Sequence, residues 1–292
     1  MKPDSHFNNK VLVTGLDGFT GRQLELYLIE SGYEVVGLGS DLTDRESVFK
    51  EVISANPNFV VHLAGISFAA ESDHEAIYRV NVIGTMNLLD ALCQLQQPLN
   101  KVVLASSATV YGNVENEVLS ESLCPKPLSH YGCSKLSMEH MAQNYFEKLP
   151  VLVARPFNYT GVGHAEQFLV PKIVNAYLAR KNVIELGNLD VSREFNDVRD
   201  VCKIYMDLLE CDFRSDVVNI CSGKTISLLQ IIELMNQIAG YEISVNINPD
   251  FVRDNEIKNL SGDVTKLKDL VQPTFRFQIE DTLRWMYGSA ND

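Results

Sequence analysis

The chain has no CxxC pair, no apolar run long enough to cross a bilayer and no surplus of basic residues. Its six cysteines (Cys93, Cys124, Cys133, Cys202, Cys211, Cys221) are scattered. That argues against a disulfide framework or a zinc site, so no metal is expected. No stretch reaches the roughly 18–20 apolar residues of a spanning helix, so no membrane segment is expected. The 25 Lys and Arg are outnumbered by 38 Asp and Glu, for a formal net charge of -13. This balance argues against general nucleic-acid or anionic-membrane binding but leaves room for a local cationic pocket. Met1 to Lys10 is polar and lacks the apolar core of a signal peptide. With thiols expected to be reduced, the chain reads as cytoplasmic.

What is present is an alternation of strands and helices. Val11-Leu12-Val13 is a short strand, and residues 20–31 read as a helix with Leu24, Leu28 and Ile29 on one side and Gly32 as its stop. Glu34 to Leu38 is a second strand. Thr43 with Glu46 reads as a capping box opening a helix to Ala55. Strands follow at Phe59–Leu63, Lys101–Ala105 and Val151–Arg155, with helices at 74–96 and 129–148 between them. The alternation predicts a doubly wound, mainly parallel α/β sheet of Rossmann type. Its carboxyl strand ends, at Thr14, Leu63, Ser106 and Arg155, are where such sheets take ligands. After Pro156 the alternation loosens. Ser227 with Gln230 opens a helix that Gly240 stops, and Ile243–Ile247 reads as a strand. In a chain of 292 residues this suggests residues 1–155, with interleaved parts of 180–225, as a dinucleotide-binding domain. Residues 156–179 and 226–292 would then form a smaller substrate lobe.

Two motifs carry chemistry. Gly15-Leu16-Asp17-Gly18-Phe19-Thr20-Gly21 lies between the first strand and the first helix. Glycines there let the backbone turn tightly and approach a pyrophosphate at the helix N-terminus. The plain alternative is a strand–helix turn that needs positive φ. The second motif is Tyr131-Gly132-Cys133-Ser134-Lys135, preceded by Ser106-Ser107-Ala108-Thr109-Val110-Tyr111-Gly112 at a strand end. Tyr131 and Lys135 are one helical turn apart and share a face. A phenol of pKa about 10 becomes a workable acid and base beside an ammonium and an oxidised nicotinamide. A Ser107 hydroxyl can orient a carbonyl. Cys133, between the two, reads as a small residue on a packed face. The plain alternative is a packed tyrosine with a solvated lysine.

These motifs resemble the extended short-chain dehydrogenase/reductase superfamily of nucleotide-sugar epimerases, dehydratases and 4-keto reductases. Leu63-Ala64-Gly65, Asn81-Val82-Ile83-Gly84-Thr85 and Arg155-Pro156-Phe157-Asn158 agree in order. Arg193 to Asp200 looks like the superfamily's phosphate-contacting arginine segment, and Gly187-Asn188-Leu189 and Asn219 to Gly223 look most like the branch of GDP-4-keto-6-deoxy-mannose reductases, which form GDP-rhamnose. The resemblance implies Ser107, Tyr131 and Lys135 as the catalytic set. It implies NAD(P)(H) held by Gly15, Gly18, Phe19, Thr20, Gly21, Asp41 and Leu42 on one side. Leu63, Ala64, Gly65, Asn81, Ser106 and Pro156 would line the other side, with Tyr131 and Lys135. A nucleotide-diphosphate sugar would be held by Ser107, Tyr131, Asn158, Arg193 and Arg253, the guanidinium groups suiting phosphate oxygens. It also implies a homodimer built on the helices at 74–96 and 129–148, whose apolar residues include Leu88, Leu92, Met138 and Met141. One departure stands out. The extra short strand common after the second strand is missing, and Gly39-Ser40 runs directly into Asp41-Leu42-Thr43-Asp44. Asp41 can meet a ribose 2′-hydroxyl or the adenine, and NAD versus NADP stays open.

Three activities compete. The superfamily's dehydratases carry acidic residues directly after the catalytic hydroxyl, where this chain has Ala108 and Thr109. The acid–base pair for dehydration is therefore missing. Reduction of a GDP- or dTDP-linked 4-keto-6-deoxyhexose is the favoured reading, and C4-epimerisation of a UDP-hexose is the alternative. A cofactor-sensing regulator without catalysis is disfavoured by the intact Ser107, Tyr131 and Lys135.

Overall fold

The computed structural model describes residues 9–67, 73–114, 118–189, 191–251 and 259–289. Arg253 therefore lies outside the described residues. The chain forms two compact units: one runs to Val110 and adds Pro127–Arg155 and Cys202–Val218, and the other comprises Tyr111–Lys126, Pro156–Val201 and the chain from Asn219 onward. The segment 111–126 thus joins the second unit.

The first unit is built on β1 (Lys10–Thr14), α1 (Phe19–Glu30), β2 (Glu34–Leu38), α2 (Arg45–Ala55) and β3 (Phe59–His62). It continues with α3 (His74–Tyr78), α4 (Thr85–Leu92), β4 (Lys101–Ala105) and α5 (His130–Gln143). The strand order is Asp216–Ile220, Val151–Pro156, β4, β3, β1, β2. Every register given, β1 with β2 and β3, β3 with β4, and β4 with Val151–Pro156, is parallel. The order reverses between β1 and β3, the switch point where doubly wound sheets bind ligands. Because β2 is an edge strand and residues 39–44 lead straight into α2, the strand missed in the sequence is missing in the fold.

One sheet face is covered by Val48 and Val52 of α2, Leu88, Leu89 and Leu92 of α4, and Met138 and Ala142 of α5, packed on Leu12, Val60, Val102 and Val151. Fully burying such a side chain contributes roughly 1.5–3 kcal/mol. Leu88, Leu92 and Met138 are thus core residues of their own subunit, and Met141 packs beside them. Leu88, Leu92 and Met138 are therefore already covered within the chain, whereas Met141 is only partly buried.

Local differences from the expected elements have simple causes. Asp44, not Thr43, caps α2 by accepting from Ser47 N at 3.3 Å, while Thr43 is tied to Asp41 Oδ1 through its N at 2.8 Å and its hydroxyl at 2.9 Å. Ile29 is 56% exposed, whereas Leu24 and Leu28 are buried, since one residue rotates a helix position by about 100°. The helical stretch expected over 74–96 is broken by a π-helical turn, Arg79–Gly84, between α3 and α4.

The second unit contains a small sheet ordered Ile226–Ser227, Ser192–Arg193, Asn259–Gly262, Val118–Leu119, and a parallel pair of Val183–Leu186 with Ser244–Ile247. Its core joins Ile173 and Tyr177, Ile231 and Met235, and Leu283. The expected capping box is present, with Ser227 N to Gln230 Oε1 at 2.9 Å and Gln230 N to Ser227 Oγ at 3.2 Å, and Gly240 closes that helix at φ +74°. Among the described residues no helix is long and apolar enough to cross a membrane, and no cluster of ligating side chains could hold a metal ion. All six cysteines are free thiols.

Candidate active site

The glycine loop begins where β1 ends. Gly15 has φ +72°, and a Cβ there would lie 2.8 Å from Ala64 N. Gly21 is held closer still, since its Cβ would meet Gly15 O at 2.3 Å and Leu16 O at 2.5 Å. Only glycine lets α1 start this near the strand. Gly18 N donates to Gly15 O at 3.0 Å and occupies the N-cap, with no side-chain cap and no acidic residue in the first turn. α1 starts here at Phe19 and Thr20, and the positive end of a helix favours an anion. These features fit the pyrophosphate of a dinucleotide.

Beyond β3, Leu63 N donates to Thr14 O at 3.2 Å and Ala64 N to Thr14 Oγ1 at 3.1 Å. A side chain on Gly65 would meet Asn81 Oδ1 at 2.9 Å and Lys135 Nζ at 3.3 Å, so these three residues converge. The π-helical turn carries Asn81, which is buried and clamped: Ile66 N donates to its Oδ1 at 2.9 Å, and its Nδ2 donates to Ile66 O at 3.1 Å and Ser134 Oγ at 3.0 Å. A π-turn re-aims one residue of an otherwise regular helix, and such turns concentrate at functional sites.

Ser129 caps α5 by accepting from Gly132 N at 3.1 Å, which places Tyr131 in the first turn and Lys135 one turn on. Lys135 is buried and its ammonium donates to Ala105 O at 2.7 Å, at the end of β4. Burial lowers its pKa from 10.5 to about 8, against the opposing pull of Glu139. Ser107 Oγ accepts from Thr109 N at 3.2 Å and from Thr109 Oγ1 at 2.9 Å. Ser107 is also hydrogen bonded to Tyr131. Burial raises the Tyr131 phenol above its ordinary value, and the Ser107 bond works the other way. A phenol held in its protonated form is suited to donate a proton to a developing alkoxide.

Other expected site residues have defined places. Ser106 is buried and its hydroxyl donates to Glu139. Pro156 closes the strand Val151–Pro156. Asp41 accepts from Thr43, as described, and Leu42 is buried in the first core. In the second unit Asn158 is exposed and its carbonyl accepts Asn196 N at 2.9 Å. Arg193 Nη1 donates to Ser192 O at 2.9 Å. Arg199, in the same segment, is fixed to Asp197 at 2.9 and 2.7 Å and stacked on Phe277 and Trp285, a structural knot.

Three buried groups had no sequence signal. Glu139 receives Arg155 Nε at 2.9 Å and Nη2 at 2.5 Å, so the strand-end Arg155 is an internal partner and not a ligand. His62 bridges Thr14 Oγ1 at 2.7 Å and Thr85 Oγ1 at 2.8 Å. Thr85 donates onward to Asn81 O at 2.8 Å, so it accepts from His62 Nε2, and Nδ1 accepts from Thr14. Glu194, beside Arg193, accepts from Gly262 N at 2.6 Å and Ser222 N at 2.8 Å, and burial raises its pKa.

The fold and the glycine loop define an oxidoreductase of the extended short-chain dehydrogenase/reductase type. The chain belongs to the family described as GDP-mannose 4,6 dehydratase, whose model matches residues 38–286. It is 38% identical over 285 residues to GDP-6-deoxy-D-talose 4-dehydrogenase of Aggregatibacter actinomycetemcomitans, covering 95% of this chain and 97% of that one. It is 32% identical to GDP-6-deoxy-D-mannose reductase of Pseudomonas aeruginosa, covering 94% and 95%. Among solved structures, RMD from Pseudomonas aeruginosa complexed with NADPH superposes with a TM-score of 0.89 at 30% identity, covering 96% of this chain and 98% of that one.

Proposed function

We propose that the protein reduces a nucleotide-linked 4-keto-6-deoxyhexose, GDP-linked in the first instance, to the 4-hydroxy sugar in the cytoplasm. The observation that carries this reading is the half-buried Tyr131, held protonated and hydrogen bonded to Ser107, one turn from a buried Lys135. The two relatives, named as a GDP-deoxysugar 4-dehydrogenase and a GDP-deoxysugar reductase, support the substrate class. The dehydratase chemistry of the family name does not suit this chain. Ala108 and Thr109 follow Ser107, and Thr109 spends its hydroxyl on Ser107.

NAD(P)H fits the glycine loop and, when bound, supplies the hydride for sugar C4. Tyr131 donates its phenolic proton to O4 as that oxygen gains charge. Ser107 holds the same oxygen in place. Lys135 is anchored on Ala105 O and holds positive charge near the reacting centre. Arg193 is assigned to the diphosphate, so that binding energy remote from C4 orients the reacting carbon. A homodimer is part of this reading and rests on the resemblance; a monomer mass in light scattering at micromolar concentration overturns it.

The test is to mix purified protein with GDP-4-keto-6-deoxy-mannose and NADH or NADPH. Loss of absorbance from the reduced cofactor, with a new C4 hydroxyl by NMR, is the expected result. Interconversion of UDP-hexose C4 epimers without net consumption of cofactor replaces this reading with epimerase.

A further inference from the structure

The end of β2 holds a carboxylate from another element. Glu51, on α2, reaches back across the 39–44 turn. Gly39 N donates to its Oε1 at 2.7 Å and Ser40 N to its Oε2 at 2.9 Å. The Ser40 hydroxyl donates to Oε2 as well. Two successive backbone amides and a serine hydroxyl make a small anion cradle, the kind of group set that receives a phosphate. Here a side chain of the same protein fills it. A carboxylate has about four lone-pair sites. Three are used, which leaves one acceptor position.

Its place in the sheet gives it meaning. Leu38 pairs with Thr14, so Gly39 is level with Gly15, the first residue of the glycine loop. The dinucleotide's adenosine ribose lies at the end of the second strand in folds of this type. Asp41, the candidate from sequence, is committed through Oδ1 to Thr43 in the turn that leads into α2. The basic side chains nearest in sequence point to other partners. Arg22 Nε donates to Asp17 O at 2.8 Å, Arg45 pairs with Asp90 at 3.4 Å, and Lys50 faces Glu46 at 4.0 Å. Burial works to raise the Glu51 pKa, but its hydrogen bonds outweigh this and hold it below the usual range, so the group is charged at neutral pH.

We infer that Glu51 is the specificity-determining residue for the dinucleotide: its carboxylate accepts the 2′-hydroxyl of NAD(H) and excludes the 2′-phosphate of NADP(H). The 2′-phosphate adds nearly two negative charges at the cradle that Glu51 already occupies. Placing like charges together in a complex is strongly unfavourable. This inference rests on the reading of the glycine loop as a dinucleotide site, and it separates this chain from the NADPH-bound relative.

The experiment measures binding, not turnover. Dissociation constants for NADH and NADPH are taken by nucleotide fluorescence on the wild type, E51Q, E51A and D41N, with circular dichroism as the check on folding. On the wild type, 5′-ADP and 2′,5′-ADP compete against NADH. The wild type is expected to bind NADH at least about tenfold tighter than NADPH, with 5′-ADP the better competitor. E51Q and E51A are expected to bring the NADH preference below about threefold, mainly by tightening NADPH, while D41N keeps it. Equal wild-type affinities, or a preference for NADPH or 2′,5′-ADP, overturn the assignment even if no variant folds. An unchanged preference in folded Glu51 variants, or its loss in D41N alone, overturns it too. Failure to bind either dinucleotide overturns the cofactor reading itself, and this assignment with it.

Discussion

Glu139 lies one helical turn beyond Lys135 on α5, and its carboxylate pulls the Lys135 pKa upward while burial pulls it down to about 8. Replacing Glu139 by Gln removes that charge and keeps the shape. The ammonium should then deprotonate at lower pH, and the alkaline limb of the kcat profile should move toward neutrality. A pH profile of E139Q that coincides with wild type would count against the coupling. E139A should be worse, because it removes the carboxylate paired with the buried Arg155, at a cost of about 3–5 kcal/mol. Urea unfolding measures that cost.

Lys135 also affects stability, and the sign follows from its depressed pKa. The unfolded lysine titrates near 10.5 and the folded one near 8. Between those values the unfolded chain binds more protons, so this group makes stability rise with pH. Its penalty is present in full below about pH 8. Lys135→Met removes the titration, so the variant should lose this alkaline gain in chemical denaturation between pH 8 and 10.

Tyr131→Phe deletes only the phenolic hydroxyl. It should lower kcat for reduction by about 10²–10⁴, the usual contribution of general acid help, and leave dinucleotide binding near wild type. Full kcat in this variant on the substrate identified above would remove Tyr131 from the proton-donor role.

His62 is buried and neutral, its pKa lowered from 6.5 to about 3, by desolvation first and the nearby Lys135 second. In the window between those values the unfolded chain holds the extra proton, so stability falls as pH drops below about 6.5. The slope from this one group is at most about 1.4 kcal/mol per pH unit. His62→Gln, which cannot titrate, should flatten the acid limb of a urea-unfolding series from pH 7 to 4, while lowering stability at pH 7. An unchanged acid limb contradicts the assignment.

The contrast between Lys135 and Glu139 shows what the sequence could reveal. Tyr131 and Lys135 were legible because their spacing alone puts them on one face, and Gly15, Gly18 and Gly21 because a glycine pattern states a backbone need. The missing strand after Gly39-Ser40 was legible as a shortened spacing. Glu139 was not, since a single acidic residue inside the helix expected over 129–148 carries no spacing signal and its partner Arg155 sits on a strand. Glu51 and His62 fail for the same reason: their partners come from other elements of the fold. Leu88, Leu92 and Met138 were recognised as apolar, but periodicity does not say whether the sheet or a second subunit covers them. At α2 the sequence pointed to Thr43 as the cap, but Thr43 is bound to Asp41 and Asp44 takes the position.

Gly21→Ala tests the loop most directly. The new Cβ would lie 2.3 Å from Gly15 O and 2.5 Å from Leu16 O, both backbone atoms that cannot swing aside. Either α1 moves off β1 or the loop opens, and both displace the amides at Gly18 to Thr20. Overpacking of this kind costs about 1–3 kcal/mol of stability. Dinucleotide affinity should fall by more than about tenfold, since each 1.4 kcal/mol is a factor of ten. Gly32→Ala is the control. Gly32 also has positive φ, at +84°, but a Cβ there meets nothing within 4 Å. It should lose stability from backbone strain while keeping dinucleotide affinity. Equal loss of affinity in both variants would show that the effect is general destabilisation and not the close approach at the loop.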